Sequence, residues 1–220
     1  MTVGKGYLVV EGHGDKKAAL NLVHRVWREL GLPHLTWDPE PIRGKGLLTQ
    51  SGVIKACEHL RAKRQCERAL LLRDEDDLCP KERGPQTAAW IKALQLQFPV
   101  AVVLPYREFE TWFLPCVSQL AGRRFEAPGG IERPGLVAGA SFIGDFESIR
   151  GVKEWLSKHF AQGKSYKPTL DQLPLTQLLD LPTLRAANIP SFGTFERALR
   201  FLSSAQPGEV YPPPPALPEE

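Results

Sequence analysis

Residues 69–77 read ALLLRDEDD, four apolar residues followed directly by five charged ones. A short run that is apolar at every position is typical of a strand buried on both faces of a parallel sheet. The same pattern recurs at residues 7–10 (YLVV) and 100–104 (VAVVL). Between these runs, apolar residues fall three and four positions apart, as in helices that bury one face. The alternation predicts an α/β fold, a mostly parallel sheet with helices on both faces.

Capping and turn residues refine this expectation. Asp15 is expected to cap a first helix, which Gly31 ends just before Pro33. Residues 35–37 are predicted to form a short strand, and Ser51 is predicted to cap a second helix. Further helices are predicted over residues 86–98, 108–120, 145–160 and 191–202.

Composition changes along the chain and suggests a division into three parts. Residues 1–115 carry the strand–helix alternation and are predicted to form the α/β core. Residues 116–204 are predicted to be a helical elaboration packed on that core, with a loop-like stretch rich in Gly and Pro over residues 125–144. Residues 205–220 are proline-rich, which predicts a polyproline II or disordered tail.

Composition and charge exclude several classes of protein. The chain has 220 residues, of which 42% are hydrophobic and 24% charged, values of a globular rather than a disordered chain. Its net charge of +3 requires any contact with phosphates to come from a local basic patch. The four cysteines form no CxxC pair and are expected to be reduced thiols. Neither a membrane span nor a signal peptide is recognisable, so we expect a cytoplasmic protein.

Acidic residues follow three of the predicted strands. Functional groups of open parallel sheets lie outside the carboxyl ends of the strands, so these acids are candidates for a site. They are Glu11, Asp74, Asp76, Glu108 and Glu110.

The spacing of the DEDD cluster gives a finer expectation. Residues two apart in a strand point the same way, so Asp74 and Asp76 are predicted to face one site while Glu75 and Asp77 point elsewhere. Glu11 joins them if the first and third strands are neighbours.

Crowded carboxylates require a cation to neutralise them, and Mg²⁺ or Mn²⁺ suits oxygen ligands. Two such ions can stabilise both the attacking and the leaving oxygen of a phosphodiester displacement. The alternative is that DEDD is a solvated loop after a strand.

Two segments carry a family resemblance. VVEGHGD (residues 9–15) and LLLRDED (residues 70–76) resemble the TOPRIM domain of topoisomerases, primases and overcoming-lysogenization-defect (OLD) nucleases. That domain has a glutamate after its first strand, matched by Glu11, and a DxD after its third, matched by Asp74 and Asp76.

Three later segments are similar to a TOPRIM-like bacterial family catalogued as domain of unknown function 4276. They are PYREFETWFL (residues 105–114), SYKPTLDQL (residues 165–173) and IPSFGTFERAL (residues 189–199). The combined resemblance covers most of residues 5–202 and implies a TOPRIM, Rossmann-like fold.

The resemblance implies a metal-dependent nuclease with DNA as the favoured substrate. Glu11 is implied as a metal ligand or general base, and Asp74 and Asp76 as metal ligands, although Asp77 could replace Asp76. The second metal site is completed by Glu110, with Glu108 as the second choice.

Two further sets of residues are expected to contact the nucleic acid. Lys167 is implied to lie beside the scissile phosphate and offset its charge. A rim of basic side chains could bind the phosphates, and it comprises Arg43, Lys45, Lys63, Arg64, Arg123 and Arg124.

The resemblance also implies a partner. TOPRIM-like proteins of this sort resemble the nuclease halves of prokaryotic two-gene systems, often in anti-phage defence, whose other half is an AAA or ABC-type ATPase. This chain has no GxxxxGK[ST] loop and cannot supply that ATPase itself. One alternative is a regulatory or binding subunit, weakly active or silent, that docks on the ATPase. Another is a different phosphoryl-transfer fold, such as a receiver-like or haloacid-dehalogenase-like phosphatase. It is disfavoured because those proteins place the key aspartate at the end of the first strand, where Glu11 stands here.

Overall fold

A computed structural model describes residues 4–215 of the chain, in which eight strands form two sheets. The strands are β1 (Lys5–Val10), β2 (Thr36–Trp37), β3 (Ile42–Arg43), β4 (Cys66–Leu72), β5 (Val100–Val103), β6 (Phe125–Ala127), β7 (Ile131–Arg133) and β8 (Val210–Tyr211). The main sheet has the order β2-β1-β4-β5-β8. Strand β3 also pairs with β1, as β2 does. All its pairings are parallel, whereas β6 and β7 form a separate antiparallel hairpin.

Helices cover both faces of the main sheet. They are α1 (Asp15–Glu29), α2 (Gln50–Arg61), α3 (Pro80–Lys92), α4 (Val117–Leu120), α5 (Val152–Lys158), α6 (Leu173–Leu178), α7 (Leu181–Ala186) and α8 (Pro190–Ser204). A 3₁₀ helix (Phe109–Cys116) precedes α4, and a single π-helical turn (Pro168–Gln172) precedes α6. No helix within residues 4–215 is long and apolar enough to cross a membrane.

Alternate strand residues pack into two separate cores, as the continuous apolar runs predict. Leu70 and Leu72 join the core formed with α1, α8 and the 3₁₀ helix, whereas Leu71 joins the core under α2 and α3. Both cores exclude water almost completely, because these leucines are no more than 1% exposed. The predicted α/β fold with a parallel sheet is confirmed.

The helix starts differ from the expected caps. The side chain of Thr49, not of Ser51, accepts the N–H of Gly52 and caps α2. Asp15 is the first residue of α1 rather than its cap, and its carboxylate accepts the N–H of Gly12 at 2.8 Å. The prediction was wrong at both positions because a neighbouring residue takes the capping place.

The predicted bounds of the third helix were also wrong. It begins at Pro80, since proline fits the first helical turn, where its missing N–H costs no hydrogen bond. It ends at Lys92, and Gln95 adopts a left-handed φ of 49° that a helix cannot accommodate.

The second half of the chain is less helical than expected. Residues 108–120 form the 3₁₀ helix and the short α4, and residues 125–144 include the β6–β7 hairpin instead of a loop alone. Residues 145–160 are helical only within α5, because Gly151 precedes it with a left-handed φ of 70°.

The C-terminal segment differs from the disordered tail expected over residues 205–220. Val210 and Tyr211 pair with Val100 and Ala101, and so extend the main sheet by a strand. The Tyr211 ring also lies 5.6 Å from that of Phe201. Residues 216–220 lie outside the described part of the chain.

Candidate active site

The first and third expected strands, β1 and β4, lie side by side. Val10 and Leu72 are register partners at their carboxyl ends, so Glu11 and Arg73 follow at the same level. The segment after β4 then continues beside the segment after β5. Glu75 N–H donates to Pro105 O at 2.9 Å. The acidic residues that follow the strands therefore gather at one edge of the sheet.

The side chains of the RDEDD segment (residues 73–77) lie in different surroundings. Arg73 and Glu75 are buried on the α2/α3 face and pair at 2.8 Å. Asp77 is exposed and pairs with Arg150 at 2.6 Å. Asp74 lies beside Lys153 and the start of the 3₁₀ helix, and Asp76 is exposed.

Three carboxylates meet at the ammonium group of Lys153 in α5. Lys153 Nζ lies 3.0 Å from Glu108 Oε1 and 3.3 Å from Glu110 Oε2. Asp74 Oδ2 lies 3.5 Å from the same nitrogen. With all three carboxyls ionised, the group is left with an excess of negative charge. We call these four residues the acidic cluster.

Each carboxylate of the acidic cluster has a second partner that fixes its orientation. Phe109 N–H donates to Asp74 Oδ1 at 2.8 Å, and Lys153 N–H donates to Glu108 Oε2 at 3.0 Å.

Tyr166 Oη–H donates to Glu110 Oε1 at 2.8 Å. Glu110 is fully buried, and its Oε2 has no hydrogen-bond partner within the described residues. The free oxygens of the cluster thus converge on the position that the Lys153 ammonium holds.

Burial and like charges act on the acidic cluster together. Burial raises the pKa of Asp74, and the charges of Glu110 and Asp15 raise it further, against the lowering effect of Lys153. Burial likewise raises the pKa of Glu110, opposed by Lys153 and by the hydrogen bond from Tyr166. Burial alone would lower the pKa of Lys153, but its three carboxylate partners outweigh that and hold the pKa above its ordinary value. The site therefore strongly favours a cation.

Glu11 and Asp76 form the second part of this edge. Burial raises the pKa of half-buried Glu11, Arg73 opposes that rise, and the charges of Asp76 and Asp15 add to it. Asp15 acts on both parts, and its Oδ1 accepts a hydrogen bond from buried Gln172 at 2.8 Å.

Glu108 and Glu110 both join the cluster, although a helix would have placed them on different faces. Glu108 precedes the 3₁₀ helix in an extended conformation, with φ of −142° and ψ of 151°, while Glu110 lies in its first turn. This change of backbone conformation between Glu108 and Glu110 lets both carboxylates reach the Lys153 ammonium group.

Lys167 lies outside the acidic cluster. Its side chain is exposed and its backbone N–H donates to Asp171 Oδ2 at 2.7 Å. Within residues 4–215 its ammonium joins none of the ion pairs around the cluster, whose lysine is Lys153. The neighbouring Tyr166 does reach the cluster, since its hydroxyl donates to Glu110 Oε1 at 2.8 Å.

The structure does not gather the six basic residues of the expected rim. Arg43 lies at the acidic edge, where its Nε donates to Glu11 O at 3.1 Å. Lys45 follows it in an exposed loop. Lys63 and Arg64 come before β4 and so lie at the opposite, amino edge of the sheet. That strand of seven residues separates them from Asp74 by about 20 Å.

Arg123 and Arg124 are exposed in the turn between α4 and β6. Arg123 Nε donates to Gln119 O at 2.7 Å, which holds it to its own helix end. Neither is tied to the acidic cluster by a hydrogen bond or ion pair among the described residues.

Lys153 and Tyr166 are functional candidates that sequence reasoning missed. Lys153 lies far along the chain from Glu108 and stands in a segment predicted only as an amphipathic helix. No spacing or motif in the sequence distinguishes it from other surface lysines. Tyr166 had a signal, since it belongs to the segment that the family resemblance selected.

Two clefts open near this edge. The larger, of about 850 Å³, lies between the first turns of α3 and α8, and no residue of the acidic cluster lines it. The smaller, of about 220 Å³, is lined by His13, Lys16 and Lys17 beside the turn that follows Glu11, and also by Glu40, which pairs with Lys16 at 3.5 Å. We call it the basic cleft, and we associate it with the site because its residues adjoin the acidic edge.

The donors of the acidic cluster are of the kind that Mg²⁺ and Mn²⁺ prefer, carboxylate oxygens without sulfur or nitrogen. Glu110 Oε2 accepts no hydrogen bond among the described residues, and the Lys153 ammonium lies 3.3 Å from it. Across residues 4–215, however, no group of three or more His, Cys, Asp or Glu side chains is arranged so that it could hold a metal ion. The donor chemistry fits a divalent cation, and the ammonium of Lys153 lies where the free oxygens converge.

Fold and site together define an α/β protein with a buried acidic cluster at the carboxyl edge of its parallel sheet. The chain belongs to the family described as Domain of unknown function (DUF4276), whose model matches residues 10–200. The resemblance to this family is thereby confirmed, and the likeness to TOPRIM domains stays a prediction. No curated protein and no solved structure matches the chain.

Proposed function

We propose that this chain is a metal-dependent nuclease of TOPRIM type that hydrolyses phosphodiester bonds, with DNA as the favoured substrate. The observation that carries the proposal is the convergence of Asp74, Glu108 and Glu110 beside the end of β4. Surplus negative charge at the carboxyl edge of a parallel sheet is what a cation-dependent phosphoryl-transfer site requires.

Asp74, Glu108 and Glu110 would hold the Mg²⁺ or Mn²⁺ ion. When bound, such an ion stabilises the charge that develops on phosphate oxygens during displacement. Phe109 and Tyr166 keep one oxygen of Asp74 and of Glu110 occupied, which leaves Asp74 Oδ2 and Glu110 Oε2 for the cation.

Glu11 is the proposed general base. Its carboxyl is half-buried with a raised pKa, which brings its basicity closer to neutral pH than that of an ordinary glutamate. It would accept a proton from the attacking water.

The basic cleft beside Glu11 would hold the nucleic acid backbone. His13, Lys16 and Lys17 line it, and Arg43 Nη1 lies 2.9 Å from His13 Nε2. These donors can contact phosphate oxygens without reading the base sequence.

Pairing with an AAA or ABC-type ATPase in anti-phage defence rests on the TOPRIM-like resemblance and stays a prediction. The silent, docking subunit is the alternative if the isolated chain has no activity.

The test is cleavage of plasmid DNA, linear DNA and RNA by the purified chain with Mg²⁺ or Mn²⁺. We expect Glu11→Ala and Glu110→Gln to lose cleavage while exposed Glu126→Gln keeps it. Equal cleavage by all three variants would exclude this site.

A further inference from the structure

We propose that Lys153 is a built-in counter-ion of the metal site, so that a divalent cation binds among Asp74, Glu108 and Glu110 only after the lysine side chain turns away. This inference rests on the metal site of the proposed function. It adds regulation to that site, because metal entry then depends on displacing a residue of the chain itself.

The position of the ammonium group is the first argument. Lys153 Nζ lies within 3.5 Å of a carboxylate oxygen from each of three residues. Among those oxygens is the fully buried Glu110 Oε2, which accepts no hydrogen bond within residues 4–215 and has the Lys153 ammonium 3.3 Å away. Lys153 thus takes the place of a metal ion at its ligands.

Electrostatics is the second argument. Two cations a few ångströms apart repel strongly inside a protein, where the dielectric constant is far below that of water. The ammonium group and a divalent ion therefore compete for the same three carboxylates.

The lysine has room to leave. Its side chain is 32% exposed, whereas that of Glu110 is fully buried. The long stem can carry the ammonium into water while the backbone stays in place. The backbone N–H of Lys153 would still donate to Glu108 Oε2, and this hydrogen bond would keep the Glu108 carboxylate oriented after the ammonium has left.

The experiment measures Mn²⁺ binding by the full chain with isothermal titration calorimetry. We expect Lys153→Met to bind Mn²⁺ at least about tenfold more tightly than the unmodified chain, a change equivalent to about 1.4 kcal/mol. Lys153→Arg, which keeps the charge, should bind no more tightly. Lys158→Met is the matched control on the same helix, where the side chain is exposed, and it should leave the Kd unchanged. Asp74→Asn should weaken binding and so locate the ion.

An unchanged or weaker Kd for Lys153→Met would overturn the inference. If Asp74→Asn still weakened binding and abolished DNA cleavage, the proposed function would stand without it. No Mn²⁺ binding by any variant would overturn both.

A second measurement on the unmodified chain does not depend on a stable variant. Acetylation of individual lysines, followed by mass spectrometry, reports how accessible each amine is. We expect Mn²⁺ to accelerate acetylation of Lys153 relative to Lys158. An unchanged or slower rate at Lys153 in saturating Mn²⁺ would contradict its displacement.

Discussion

At the scale of single residues, Glu110 is a carboxylate that no water reaches. Its carboxylate shares the Lys153 ammonium with two other carboxylates, and the Tyr166 hydroxyl donates a hydrogen bond to its Oε1. Removing a carboxylate from water is costly unless an opposite charge and hydrogen bonds compensate, and Lys153 compensates three carboxylates at once. Burial that is only partly compensated is what raises the pKa of Glu110.

Glu110→Gln should therefore stabilise the protein at neutral and alkaline pH. Burial raises the pKa of Glu110 above its ordinary value of 4.5. At a pH above 4.5 the ionised form of Glu110 therefore lowers the stability of the folded state. This penalty is relieved as pH falls through the raised pKa. Urea unfolding without metal should show a gain of roughly 1–3 kcal/mol at pH 8 and none near pH 4. Exposed Glu126→Gln is the control, and a less stable Glu110→Gln protein at pH 8 would contradict the account.

At the scale of elements, the buried strands β1, β4 and β5 were predictable, whereas the short strands β6, β7 and β8 and several helix ends were not. An apolar run such as Leu70–Leu72 has no stable alternative to burial, so the sequence signal is strong. Caps depend on which of several neighbouring hydroxyls reaches a free N–H, and Thr49 and Ser51 are only two residues apart. Lys153 was beyond prediction because its partners come from distant segments that only the folded chain brings together.

The cap of α2 gives a direct test at this scale. Thr49→Ala should lower the free energy of unfolding by about 1 kcal/mol, since it removes the acceptor for Gly52 N–H. Ser51→Ala should cost clearly less, because the Ser51 hydroxyl contacts only Thr49 Oγ1, at 3.2 Å, among the described residues. Urea denaturation of both variants measures the difference. An equal or larger loss for Ser51→Ala would contradict the assigned cap.

At the scale of the whole molecule, the second half of the chain completes the site. Lys153, Tyr166 and Gln172 all come from it and reach Glu110 or Asp15 near the sheet. Helix α8 packs on β4 and β5, so the expected elaboration also covers one face of the core. The division at residue 115 remains a prediction from composition. The contacts of Lys153, Tyr166 and Gln172 join the two predicted parts at the acidic edge of the sheet.

The buried pair of Arg133 and Asp171 tests this linkage. Arg133 donates to both carboxylate oxygens of Asp171, at 2.7 and 2.8 Å, and ties the β6–β7 hairpin to the π-helical turn. Asp171→Asn leaves the guanidinium buried without its counter-charge, so we expect a loss of roughly 3–5 kcal/mol in urea unfolding. Exposed Glu132→Gln in the same hairpin should change stability little. A loss below 1 kcal/mol for Asp171→Asn would show that the hairpin does not depend on this pair.

The proposed metal-dependent cleavage depends on the acidic cluster at the end of β4. The most direct measurement compares plasmid cleavage with Mn²⁺ by the unmodified chain, Asp74→Asn and Asp77→Asn. Both substitutions remove one carboxylate from the same acidic segment, but only Asp74 belongs to the acidic cluster, whereas Asp77 pairs with Arg150. We expect Asp74→Asn to lose at least about a hundredfold in rate and Asp77→Asn to stay within about threefold of the unmodified chain. Equal cleavage by the two variants would contradict this expectation.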